Sequence, residues 1–127
     1  MEKGDDEMGV QKALHTELQI VLRPVTEELL REIVQCIVRT FAPEKIILFG
    51  SYASGSARPG SDIDLLIIME SDERPAERSL KVAQACRPRF VGMDILVRTP
   101  AELARRLEIG DSFFKEIVQQ GKVLYER

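Results

Sequence analysis

Residues 46–68 read IILFGSYASGSARPGSDIDLLII. Two apolar runs, Ile46–Phe49 and Leu65–Ile68, have strand length and are rich in branched side chains, so they read as buried β-structure. The polar middle sets Asp62 and Asp64 at the mouth of the second run. A carboxylate in that position costs free energy unless a cation or a hydrogen-bond donor meets it. Side chains at i and i+2 of a strand share a face, which makes the two aspartates neighbours with Cα atoms about 6.5–7 Å apart. Carboxylates at that spacing, with no His or Cys nearby, suit a hard divalent cation, above all Mg²⁺. Gly50-Ser51 follows the first strand directly, and Tyr52-Ala-Ser-Gly can turn at once into a short helix. Glycine lets backbone approach a ligand closely, free N–H groups at a helix start hold phosphate oxygens, and a serine hydroxyl donates one more hydrogen bond. The stretch contains neither Gly-Lys-Ser/Thr nor G-x-G-x-x-G, which excludes a P-loop ATPase and argues against a dinucleotide fold. A phosphate turn beside a magnesium-type carboxylate pair points to phosphoryl or nucleotidyl transfer.

Outward from this stretch, strands alternate with helices. Thr26-Glu-Glu starts a helix, with a capping hydroxyl followed by two acids at its positive end. Leu29, Leu30, Ile33, Val34, Ile37, Val38 and Phe41 then recur at helical spacing, and Ala42-Pro43 ends the run. Strands are expected at Lys45–Phe49, Ile63–Met69, Phe90–Val97 and Val123–Tyr125. Between them, Glu77–Arg87 reads as an exposed helix with Leu80, Val82, Ala83 and Cys86 partly inward. Thr99-Pro100 starts a further helix that Gly110 stops, and Asp111-Ser112 starts the last, which runs to Gln120. The tandem Phe113-Phe114 cannot point one way on a helix, so one ring is expected at an interface. The fold that follows is a small α/β (α+β) domain over residues 24–127, a mixed sheet flanked by helices. Residues 1–23 are expected to be an N-terminal extension, partly disordered or partner-binding. Its acidic start, MEKGDDEMG, reads as disordered, and Val10, Leu14, Leu18 and Val21 form a weak apolar stripe beside a solitary His15.

The third strand carries one acid, Asp94, between Met93 and Ile95. If that strand lies beside the Asp62–Asp64 strand, a third carboxylate joins the cluster. Three anions at one spot repel, and a bound metal is the usual way such a site stays ionised. The whole chain has 127 residues and a formal net charge of −3, enough for one core and unsuited to general nucleic-acid binding. No stretch is long and apolar enough to span a bilayer, and no signal region opens the chain, so a cytoplasmic protein is expected. Cys36 and Cys86 lack metal-ligand spacing and read as buried, reduced thiols.

Gly50-Ser51, ten intervening residues and Asp62-Ile-Asp64 together resemble the GS-x10-DxD signature of the DNA polymerase β-type nucleotidyltransferases, with Asp94 in the place of that superfamily's third carboxylate. The resemblance covers about residues 25–127. The chain length and the ending DSFFKEIVQQGKVLYE resemble the minimal nucleotidyltransferases that act as antitoxins in HEPN/MNT toxin–antitoxin pairs. Many relatives carry a basic residue where this chain has Ser54, and Arg58 is the nearest basic residue to replace it.

The resemblance implies that Asp62, Asp64 and Asp94 hold two Mg²⁺ ions, and that Gly50, Ser51 and Arg58 grip the phosphates of ATP. It also implies that AMP passes to a tyrosine hydroxyl of a HEPN-type toxin partner, silencing it. Two other readings stand beside it. One is an antitoxin that neutralises its partner by binding alone, and the other is a nucleotidyltransferase acting on a small molecule. A homo- or hetero-oligomer is compatible with each of them.

Overall fold

The computed structural model describes residues 24–127, so the expected extension, with its apolar stripe and His15, lies outside the described residues. Helix α1 (Glu27–Phe41) starts where Thr26 caps it, the Thr26 hydroxyl accepting from the Leu29 N–H at 3.1 Å. Leu29, Ile33 and Ile37 form its buried stripe, and Ala42 leaves the helix in a left-handed conformation ahead of Pro43. Strand β1 (Lys45–Phe49) runs into the short helix α2 (Ser51–Ser54), and β2 (Ile63–Ile68) follows. The remaining elements are α3 (Pro75–Cys86), β3 (Met93–Arg98), α4 (Pro100–Glu108), α5 (Ser112–Gln120) and β4 (Lys122–Glu126).

The four strands form one mixed sheet in the order β3-β2-β1-β4. Strand β1 pairs antiparallel with β2 and with β4, while β2 and β3 run parallel. The parallel pair requires a crossover, and α3 supplies it. Alternation along the strands sends Ile46, Leu48, Ile63, Leu65, Ile67, Ile95 and Val97 toward α1 and α3. Ile47, Leu66 and Ile68 face the opposite way, toward Phe114 and Ile117 of α5 and the half-buried Leu103 and Leu107 of α4. The result is a sheet between two helical layers, as the apolar runs imply.

Four local expectations are corrected. The third strand begins at Met93 rather than Phe90, because Phe90 takes a positive φ of 64° and turns the chain before pairing starts. The third helix begins at Pro75, two residues before Glu77, with the proline in its first turn. Leu80 on that helix is not inward but 58% exposed, and the buried positions are Arg78, Val82 and Cys86. Cys36 and Cys86 are not reduced thiols: packing of α1 against α3 brings their Cα atoms to 5.7 Å and they form a disulfide. That separation is ordinary for a bridge, and a sequence separation of 50 hides it.

Arg78 is the one charged side chain among the buried residues described. Its Nε donates to the Glu73 carbonyl at 2.7 Å, and its two terminal nitrogens meet Glu102 at 2.6 and 3.4 Å. Glu102 also closes a capping box at the start of α4, accepting from the Thr99 N–H while the Thr99 hydroxyl accepts from the Glu102 N–H. One carboxylate therefore ties α3, β3 and α4 together. The Arg78 guanidinium holds it at about 2, well below its ordinary 4.5.

Candidate active site

Strand register decides which side chains gather at the end of the sheet. Phe49 of β1 lies opposite Asp64 of β2, and Asp64 lies opposite Asp94 of β3. The third carboxylate therefore does sit beside the Asp62–Asp64 strand, as its position in the sequence suggests. Asp62 and Asp94 are exposed and Asp64 is half-buried. Burial pushes the Asp64 carboxyl above its usual range, and the neighbouring charges of Asp94 and then Asp62 push the same way. Both neighbouring anions thus act on Asp64 through space. Oxygen-only donors under mutual repulsion fit a hard divalent cation in kind. Among the described residues, however, no three such side chains form a ready-made metal cage.

Two glycines explain why the carboxylates do not converge. A β-carbon on Gly50 would overlap Oδ2 of Asp64, and one on Gly92 would overlap Oδ1 of Asp62. Gly50 follows β1 and Gly92 precedes β3, the strands on either side of β2. The two carboxylates of the Asp-x-Asp pair therefore lean apart, Asp64 toward the glycine–serine turn and Asp62 toward the start of β3. Gly50 combines φ 73° with ψ −151°, a region essentially reserved for glycine. Its carbonyl accepts from the Ala53 and Ser54 N–H groups, both at 3.1 Å, and so starts α2.

Ser54, where many relatives are basic, belongs to the same turn. Its hydroxyl lies 3.3 Å from the Ser51 carbonyl and shares a 2.8 Å hydrogen bond with Ser56. Gly50 and Ser51 line a cleft of about 430 Å³ with Phe49, Phe113 and Glu116. Arg58 is not beside them. It lines a second cleft of about 540 Å³ with Asp62, Tyr52, Arg87, Phe90 and Gly92, on a loop that Ser61 closes by accepting from the Arg58 N–H at 2.9 Å. The structure thus groups Asp62, Asp64, Asp94, Gly50 and Ser51 at one end of the sheet and sets Arg58 apart from the phosphate-type turn. Gly92 escaped the reading of the sequence, although a glycine inside a strand-like run, two residues before an acid, is itself a sign of close approach.

Residues 31–127 match the family model described as polymerase beta, nucleotidyltransferase. The chain belongs to that family. Its relatives include a Methanocaldococcus jannaschii protein named as protein adenylyltransferase MJ0604, 32% identical over 84 residues that make up 65% of this chain and 78% of the relative. Among solved structures, a nucleotidyltransferase from Sulfolobus solfataricus superposes with a TM-score of 0.56 at 24% identity, covering 88% of this chain and 86% of that one. A toxin–antitoxin structure with AMP-PNP superposes with a TM-score of 0.51 at 22% identity, covering 76% and 73%. These two likenesses establish the fold as that of the nucleotidyltransferases. The polymerase beta-type nucleotidyltransferase described here has no helix, among its described residues, long and apolar enough to cross a membrane. Family and relative together make it a nucleotidyltransferase enzyme.

Proposed function

We propose that this nucleotidyltransferase is a Mg²⁺-dependent antitoxin that moves AMP from ATP to a tyrosine hydroxyl of a HEPN-type toxin. The observation that carries the reading is the row Gly50-Ser51, Asp64, Asp62 and Asp94 across the end of three adjacent strands. The protein adenylyltransferase name of the Methanocaldococcus relative and the toxin–antitoxin fold neighbour with AMP-PNP support the acceptor class and the nucleotide.

Asp62, Asp64 and Asp94 would hold the metal, which when bound screens phosphate charge and activates the attacking oxygen. Gly50 and Ser51 hold the terminal phosphates of ATP in the adjoining cleft. The tyrosine oxygen attacks the α-phosphorus in line, Asp94 accepts its proton, the new P–O bond forms and the bond to pyrophosphate breaks. A cytoplasmic location, where ATP is at hand, belongs to the same reading.

A second reading is neutralisation by binding alone, and the divergent carboxylates together with Ser54 favour it. Transfer from α-labelled ATP with Mg²⁺ to the co-expressed product of the adjacent reading frame separates the two. Label on a partner tyrosine with the wild type, and none with Asp62→Asn/Asp64→Asn, is the expected result. A stable, unlabelled complex that still silences the toxin would establish occlusion instead.

A further inference from the structure

We infer that Gly92 is a positioning residue for Asp62, its bare α-carbon being the seat that holds this carboxylate on the β3 side of the site. The inference rests on the metal-dependent reading above and adds a residue to it. Gly92 lies outside the left-handed region, so a positive φ is not what calls for a glycine there. Its carbonyl accepts from the Ile63 N–H at 2.9 Å, a bond that any residue could make. What only glycine supplies is space, because a β-carbon there would occupy the position of Asp62 Oδ1 and come within 3.0 Å of its Cγ.

The space is specific to that carboxylate, since the atoms met first all belong to Asp62. Asp62 is exposed, so an alanine at 92 would displace a mobile carboxylate and leave the core alone. Asp64 has the corresponding seat on Gly50. With β1 and β3 flanking β2, the seats separate two roles. Asp64 leans toward the phosphate turn, and Asp62 leans toward Gly92 at the start of β3. Losing the Gly92 seat would drive the Asp62 carboxylate off the β3 side while Asp64, opposite Asp94 in the ladder, stays in place.

The test is Mn²⁺ binding by titration calorimetry, with thermal melting in EDTA, on the full chain and on Gly92→Ala, Asp62→Asn and the double variant. Gly92→Ala is expected to melt at or slightly above the wild-type temperature and to bind Mn²⁺ about 10–100-fold more weakly, the range typical of residues that orient metal ligands. If Gly92 acts through Asp62, the double variant binds no more weakly than Asp62→Asn alone. Gly92→Ala binding within about twofold of wild type, fully additive losses, or loss of its melting transition would each overturn the positioning role. Absence of Mn²⁺ binding by the wild type would overturn the metal reading itself, and the inference with it.

Discussion

Asp64 and Asp94 are direct partners in the parallel β2–β3 ladder, and Asp64 is the more deeply set of the two. Burial and its anionic neighbours raise the Asp64 carboxyl, so in the metal-free protein its ionised form is a burden on the fold. An acid raised in the folded state contributes stability at low pH and loses it as pH rises through its folded value. Asp64→Asn is therefore expected to raise the melting temperature in EDTA at neutral pH. It should also cost more than about a hundredfold in nucleotide transfer, since even residues that merely orient a metal ligand cost about 10–100-fold. Melting curves and labelled-ATP transfer on the same preparations check both halves.

Gly50→Ala should damage fold and site together. The backbone conformation disfavours any side chain there, and the new methyl would meet Asp64. A loss of about 1–3 kcal/mol in denaturant unfolding is expected from the strain, with transfer reduced by a larger factor than stability alone explains. Gly92→Ala, which carries no positive-φ strain, provides the contrast.

The Arg78–Glu102 tie yields a pH window. Glu102 sits at about 2 in the folded chain against an ordinary 4.5. An acid so lowered contributes stability above its unfolded value and loses it as pH falls through its folded one. The wild type should therefore lose melting temperature relative to Glu102→Gln between about pH 4.5 and about pH 2, and the gap should narrow by the acid end. At neutral pH the glutamine leaves the buried Arg78 without its counter-charge, but Glu102 is 39% exposed and Arg78 keeps the Glu73 carbonyl, so solvent screening holds the loss to about 1 kcal/mol.

The tandem phenylalanines should behave oppositely. Phe114 is 5% exposed and packs with Ile47, Leu66 and Ile117, whereas Phe113 is 48% exposed and stands edge-on to Phe49. Phe114→Ala is expected to cost about 3–5 kcal/mol in denaturant unfolding. Phe113→Ala should cost about 1 kcal/mol, the value of an aromatic pair.

Much of this architecture was readable because its causes are local. Thr26, Ala42-Pro43, Thr99-Pro100 and Asp111 mark helix ends through bonds made within a few residues. Leu65–Ile68 is apolar because both sheet faces are covered. The Gly-Ser and Asp-x-Asp elements could be found because spacing along a strand fixes which side chains share a face. What escaped is non-local. Arg78 finds Glu102 twenty-four positions away, Cys36 finds Cys86 fifty away, and Gly92 matters only because β3 pairs in parallel with β2. Leu80 misled because an apolar residue on an amphipathic helix need not face the core.

The Cys36–Cys86 bridge turns part of the chain into a covalent ring. Gly50, Ser51, Asp62 and Asp64 lie inside it and Asp94 lies outside. A protease that nicks the exposed 54–60 turn would leave both fragments covalently joined, and under denaturing conditions they would separate only after reduction. Closing a ring of this size restricts the unfolded chain by about 4 kcal/mol on chain-entropy grounds. In a compartment that keeps thiols reduced, only the pairing of β1 with β2 and β4 and the shared core would hold the segment bearing the phosphate turn to the one bearing the carboxylates. Gel mobility of nicked protein with and without dithiothreitol would therefore report the redox history of the chain.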